Sequence, residues 1–246
     1  MLLAEPQPTQ YDLNFVLGGV PVRVHPLFWI ISAVMGAQGS PPGLLVLTWI
    51  GVVFVSILVH EFGHALAFRA HGYQCHIVLY SMGGLAVPDS SGRRTTWSSV
   101  MISLAGPFAG FFLACVLLLG LKIGGVPIHF EFGWPYLVDA SAYIPDNRNL
   151  SFLVNNLLYV NIFWGIFNLL PVYPLDGGQV SQAVLTHVNP RDGMRQSLML
   201  SIAVAVGISL MGFQRRDTFL GLMFGYLAFM NYQTLQSFTG YGGRRW

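Results

Sequence analysis

Two histidines four residues apart with a glutamate beside the first, His60-Glu61-Phe62-Gly63-His64, carry the clearest chemistry in the chain. On a helix this HExxH spacing turns both imidazoles to one face, where they can reach a single tetrahedral Zn²⁺, and the glutamate points toward the remaining metal position. Such a set describes a metallohydrolase site, in which the metal activates water and the carboxylate moves its proton. A bare HExxH also arises in soluble helices that hold no metal. Here the surroundings argue for function, because the motif lies inside an apolar run over residues 44–70. A charged group at mid-membrane opposes insertion by about 2.5–3.5 kcal/mol, so ionisable residues at that depth usually have a task.

Two histidines leave a hydrolytic zinc one protein ligand short. The strongest further donor is Asp176, in the segment Asn168-Leu169-Leu170-Pro171-Val172-Tyr173-Pro174-Leu175-Asp176-Gly177-Gly178. Two prolines and two glycines there interrupt an apolar stretch. Irregular backbone at membrane depth is tolerated only against protein or a wet cavity, so the break over 168–178 can bring a carboxylate to a metal. The competing role for Asp176 is to cap the short helix that follows. His25, beside Pro26, reads as an interfacial histidine. His71 and His76 read as solvated or interfacial, since Gly72 interrupts the helix beyond His64. Cys75 and Cys115 are far apart, with no CxxC or Cys/His cluster, and suggest neither a ligand nor a needed disulfide.

The elements that must position these residues follow from composition. Of 246 residues, 54% are hydrophobic and 9% charged, against roughly 25% charged in ordinary soluble domains. The expected fold is an all-α polytopic membrane protein forming one domain over residues 1–246, with short membrane-associated β-hairpins. A net charge of +2 gives no footing for nucleic-acid binding. The N-terminal stretch lacks a basic region followed by an apolar core, so no cleaved signal peptide is expected.

Gly18-Gly19 between β-prone runs predicts a hairpin over 14–24, and Met82-Gly83-Gly84 a second over 74–87. An open sheet edge cannot face lipid, so it must line a cavity or await a partner strand. Apolar spans are expected at 26–37, 44–70, 96–122, 152–170, 197–213 and 219–232, about six in all, the first short for a full crossing. Ser103, Ala105, Gly106, Ala109 and Gly110 permit close approach of another helix to the third. Residues 124–149 read as a polar loop carrying Glu131, Asp139 and Asp146. Phe28, Trp29, Trp97, Trp134 and Trp164 read as interfacial anchors or bundle filling. With a cytoplasmic N-terminus, Arg23, Arg69, Arg93, Arg94, Arg191, Arg195, Arg244 and Arg245 fall inside and Lys122, Arg148, Arg215 and Arg216 outside. That bias places both termini in the cytoplasm.

HEFGH in one span and NLLPVYPLDGG in a later one together resemble the site-2 protease family of intramembrane zinc metalloproteases. GGVPVRVHP at 18–26, Gly83-Gly84 and SLAGPFAG at 103–110 extend the resemblance over nearly the whole chain. It is most similar to the compact branch that includes the sporulation protease acting on a membrane-tethered sigma-factor precursor. The resemblance implies His60, His64 and Asp176 as ligands of one zinc and Glu61 as catalytic base. It also gives Asn168 a hydrogen bond to the substrate backbone or developing oxyanion, with an interhelical hydrogen bond as the alternative. A single-pass membrane protein is the implied substrate, cleaved in or near its transmembrane segment, and a bacterial cell membrane the implied location. CBS modules, frequent in that branch, and the PDZ domain of other relatives are not expected here. Two readings compete: a membrane zinc transporter using the same ligands as a transit site, and a non-catalytic protein that captures membrane helices. An adjacent base suits a hydrolase, and no second polar pathway crosses the other spans.

Overall fold

The computed structural model describes residues 5–38, 41–81, 83–89, 94–133, 137–145 and 147–242. Met82, Arg93, Trp134, Asp146, Arg244 and Arg245 lie outside the described residues, as does the Asp139 side chain. The chain forms two compact units, one of Met1–Arg93 with Ala105–Ile166, the other of Arg94–Leu104 with Phe167–Trp246.

The first unit is built on a four-stranded sheet and long helices. Strands β1 (Leu13–Leu17) and β2 (Val20–Val24) pair antiparallel, with Leu17 opposite Val20. The two-residue turn needs positive φ twice, and Gly18 (+56°) and Gly19 (+79°) supply it. Alternate β-branched residues of β2 face inward, Val20, Val22 and Val24 all being buried. Helix α1 (Pro26–Gly36) starts on proline, with His25 Nδ1 accepting the Leu27 N–H at 3.1 Å. Helix α2 (Gly43–Ala70) follows, then β3 (Cys75–Tyr80) and β4 (Gly83–Pro88), again an antiparallel pair. The two strand pairs, expected as separate hairpins, are joined: β2 lies parallel to β3 with Val22 opposite Ile77, giving the order β1-β2-β3-β4. Parallel neighbours need a long crossover, and α1 with α2 provides it.

Helix α3 (Thr96–Ile123) runs through both units, its residues from Ala105 onward belonging to the first. There Gly63 of α2 meets the Ala105 carbonyl and the Ala109 methyl, with no room for a Cβ. Small residues let backbones approach this closely. The segment read as a loop contains β5 (Ile128–Gly133) paired antiparallel with β6 (Leu137–Ala142). Alanine is a poor strand former, and what holds β6 is tertiary: Ala140 and Ala142 pack with Ala114, Val154 and Leu158. Helix α4 (Arg148–Asn168) closes the unit, Asn161 Nδ2 donating to Ser56 Oγ of α2 at 2.9 Å.

The second unit contains the first turns of α3, then α5 (Asp176–Val188), α6 (Gly193–Gln214) and α7 (Thr218–Gly242). Helices α6 and α7 form a tight hairpin, Ser209 Oγ donating to the Gly221 carbonyl at 2.7 Å and Gly212 abutting Gly221.

The protein is mainly helical. Among the described residues four helices, α2, α3, α4 and α6, are long and apolar enough to cross a membrane, against the six expected spans. The 11 residues of α1 reach about 16 Å, half of a hydrocarbon core about 30 Å thick. Helix α7 has the length, with 25 residues, but Tyr, Asn, Gln, Thr and Ser dilute its apolar character.

The N-terminal strand pair is tied by charge. Asp12 accepts from Thr9 N and Oγ1 at 3.1 and 2.6 Å and from Arg23 Nη1 at 2.9 Å, and Arg23 Nη2 reaches Glu5 at 2.7 Å. Burial raises the Asp12 pKa, but the Thr9 and Arg23 bonds outweigh it and hold the group at about 2 instead of 3.8. A carboxyl depressed in the folded state contributes stability above 3.8 that is lost as pH falls toward 2. Amide protection factors over 13–24 should therefore fall across that interval, and Asp12→Asn should lower them at neutral pH and flatten the dependence.

Candidate metal centre

Helix α2 brings His60, Glu61 and His64 together within one turn, all buried at 4%, 5% and 8% exposure. The two Nε2 atoms lie 3.2 Å apart with the rings nearly perpendicular at 79°. Two nitrogens bound tetrahedrally at 2.0–2.1 Å would be separated by about 3.3–3.4 Å. The pair is thus already close to the spacing a zinc ion demands, a spacing at which one neutral imidazole can also donate to the other.

Two glycines of the same unit crowd this helix. Gly84 of β4 sits against Glu61: a Cβ there would lie 2.7 Å from the carboxyl carbon and 2.8 Å from Oε1. Gly106 of α3 packs against the His64 ring, where a Cβ would overlap Nε2. Edge strand β4 therefore passes over the carboxylate, and α3 backs the second imidazole. The C-terminal half of α2 is fastened to the β1–β2 turn, with Arg69 Nη1 donating to the Gly18 carbonyl at 2.6 Å and Phe62 against Gly18.

Asp176 and Asn168 belong to the second unit, both 7% exposed. Asp176 is the first residue of α5, and Leu175 is the N-cap residue. Gly177 packs on the Leu169 and Leu170 backbone and Gly178 on that of Val172 and Tyr173, leaving no space for side chains. The intervening segment is pinned by Tyr173, whose N–H donates to Ser201 Oγ at 3.0 Å and whose carbonyl accepts from Asn231 Nδ2 at 2.6 Å. These contacts hold a buried carboxylate rigidly at the start of α5.

His25, His71 and His76 are engaged elsewhere. His25 caps α1; His71 Nδ1 lies 2.8 Å from the Ala67 carbonyl; His76 pairs with Asp89 at 3.0 Å and Glu5 at 3.3 Å. Burial pushes the Cys75 thiol up, away from the thiolate a metal needs. Gly84 and Gly106, expected at a hairpin and at a helix–helix approach, touch Glu61 and His64, contacts that no local sequence signal marks.

Buried imidazoles paired on a helix beside a carboxylate are a donor set of the kind that hydrolytic zinc takes. Residues 48–147 and 142–212 match peptidase family M50. A zinc metalloprotease of Methanocaldococcus jannaschii is 26% identical over 174 residues, covering 70% of this chain and 44% of that protein. Stage IV sporulation protein FB of Bacillus subtilis is 28% identical over 161 residues, covering 65% and 46%. The chain thus spans about half the length of the curated relatives it matches. The structure of a site-2 protease from Methanocaldococcus jannaschii shares the fold, with a TM-score of 0.58, 23% identity and coverage of 92% of this chain and 95% of that one. The chain belongs to peptidase family M50 and is an integral membrane protein.

Gly106 touches the expected ligand His64 and Gly84 the expected base Glu61, so substitutions there test the two roles separately. Gly106→Ala should displace His64 and weaken zinc binding by about 10- to 100-fold, the range for disturbed ligand support. Gly84→Ala should leave zinc in place and lower peptide hydrolysis about 100-fold by shifting Glu61. Zinc titration, hydrolysis rates and helical content of both variants check this.

Proposed function

We propose that this chain is an intramembrane zinc endopeptidase that hydrolyses a peptide bond in or near the transmembrane segment of a single-pass membrane protein. His60, His64 and Asp176 hold one zinc ion, Glu61 is the catalytic base, and Asn168 hydrogen-bonds the substrate. The donor set fits, since two neutral imidazoles and one carboxylate are a common complement for hydrolytic zinc and leave a position for water. Bound zinc supplies Lewis acidity toward that water and toward the scissile carbonyl.

The protein's own groups do the rest. Glu61, buried at 5% exposure against the Gly84 backbone, takes the proton of the attacking water and returns it to the leaving amine. The Asn168 amide donates to the oxygen that gains negative charge. A helical substrate must unwind before its carbonyl can be reached, and an extended segment can then add to a free sheet edge. In the sheet β3 is internal, so such a segment would pair with edge strand β4, which carries Ala86. That β4 also crosses Glu61 is the observation that carries the reading, because it sets a peptide-binding edge beside a buried base.

Six of the chain's helices lie in the membrane, the short α1 entering part of the way and α7 crossing with the four long apolar ones. The chain sits in a bacterial cell membrane with both termini cytoplasmic, following the arginine bias.

The test compares the native chain with Glu61→Gln, purified in detergent, against a panel of single-pass membrane segments. Both should hold one zinc per chain, and turnover should drop about 10²- to 10⁴-fold in the variant, the range for loss of a general base. Undiminished cleavage by the variant would refute the role of Glu61.

A further inference from the structure

The second unit contains a polar cavity of about 490 Å³ that the peptidase chemistry does not use. One wall is the start of α3, where Thr96, Ser99 and Ser103 recur at helical spacing; the other is a face of α5 carrying Thr186 and His187. Arg94 stands at its edge, and among the described lining residues there is no carboxylate. Every charged or polar group named can donate a hydrogen bond. The α3 N-terminus adds the partial positive charge of a 28-residue helix.

A helix end alone would say little, but the cavity floor points independently to a ligand. Ser103 is only 6% exposed, lines the cavity, and its hydroxyl has no hydrogen-bond partner among the described residues. That hydroxyl opens into the cavity, where a polar ligand group can reach it. Thr96 Oγ1 and His187 Nδ1, 3.3 Å apart, bridge the two walls at the mouth. Trp97, next to Thr96, is 70% exposed, as expected of a ring lying among lipid headgroups.

We propose that this cavity is a binding site for a phosphate-bearing anion, supplied by the headgroup of an anionic phospholipid. Arg94 and His187 meet the phosphate charge with the positive end of the α3 dipole behind them, the Ser98 N–H being already capped by Thr95 Oγ1 at 3.1 Å, and Ser99 and Ser103 hold the headgroup's polar tail. Basic pockets at the membrane interface recognise lipid phosphates in this way. Because α5 also begins with Asp176, lipid binding would brace the helix that carries this carboxylate.

The full chain in dodecylmaltoside is titrated with phosphatidylglycerol and, separately, phosphatidylcholine, and bound lipid is read by native mass spectrometry. Phosphatidylglycerol should be retained the more tightly. Arg94→Gln should weaken it about fivefold, one surface charge's worth, and Arg94→Glu further. Ser103→Ala should weaken it without changing helical content. Equal retention of the two lipids, or phosphatidylglycerol binding unaffected by Arg94→Glu in a normally folded protein, would overturn the site. Displacement of bound phosphatidylglycerol by a modest excess of inorganic phosphate would keep the anion site and overturn the lipid as its source.

Discussion

Placing two imidazoles and a carboxylate inside an apolar helix is the constraint on which the rest of the structure depends. Uncompensated, such groups oppose membrane insertion, and they cannot rely on water for hydrogen bonds at that depth. They become tolerable where protein surrounds them and where one ion can satisfy several at once. His60, Glu61 and His64 are accordingly buried, with β4 and α3 against them in the first unit. Metal chemistry and structural compensation are here the same requirement.

Small residues set the distances. Between membrane helices there is little hydrophobic driving force, and association rests on close packing and occasional polar bonds. Gly63 against Ala105 and Ala109 lets α3 approach α2, and that approach brings Gly106 to the His64 ring. The Asn161–Ser56 bond adds a polar tie between α4 and α2. In the second unit, Gly177 and Gly178 fold the start of α5 back onto 169–173, and Asn231 and Ser201 pin Tyr173. Each unit thus spends its glycines where a reactive side chain must be held still.

The legible parts of the chain were those whose signal is local. HExxH spacing, the Gly18-Gly19 turn, and the Pro/Gly break around Asp176 all depend on neighbours within a few residues. Elements set by distant partners were harder to read. The parallel pairing of β2 with β3 joins residues more than fifty positions apart, and no periodicity announces it. Strand β6 is alanine-rich and was read as loop, because its strand state comes from packing on α3 and α4. Helix α7 was read as a span from its apolar start, 219–232, whereas its polar residues recur beyond it. Gly84 and Gly106 show the same limit inside the site. Glycine marks a close approach, but which side chain approaches is known only once the chain is folded.

The most direct measurement of the central claim is zinc K-edge absorption on the purified protein and on Asp176→Ala. The native spectrum should show two imidazole nitrogens at about 2.0–2.1 Å with oxygen donors completing a four-coordinate shell. In Asp176→Ala the oxygen contribution should fall and zinc affinity with it. A sulfur shell near about 2.3 Å, a single imidazole, or a spectrum unchanged by Asp176→Ala would contradict the two-histidine, one-aspartate centre.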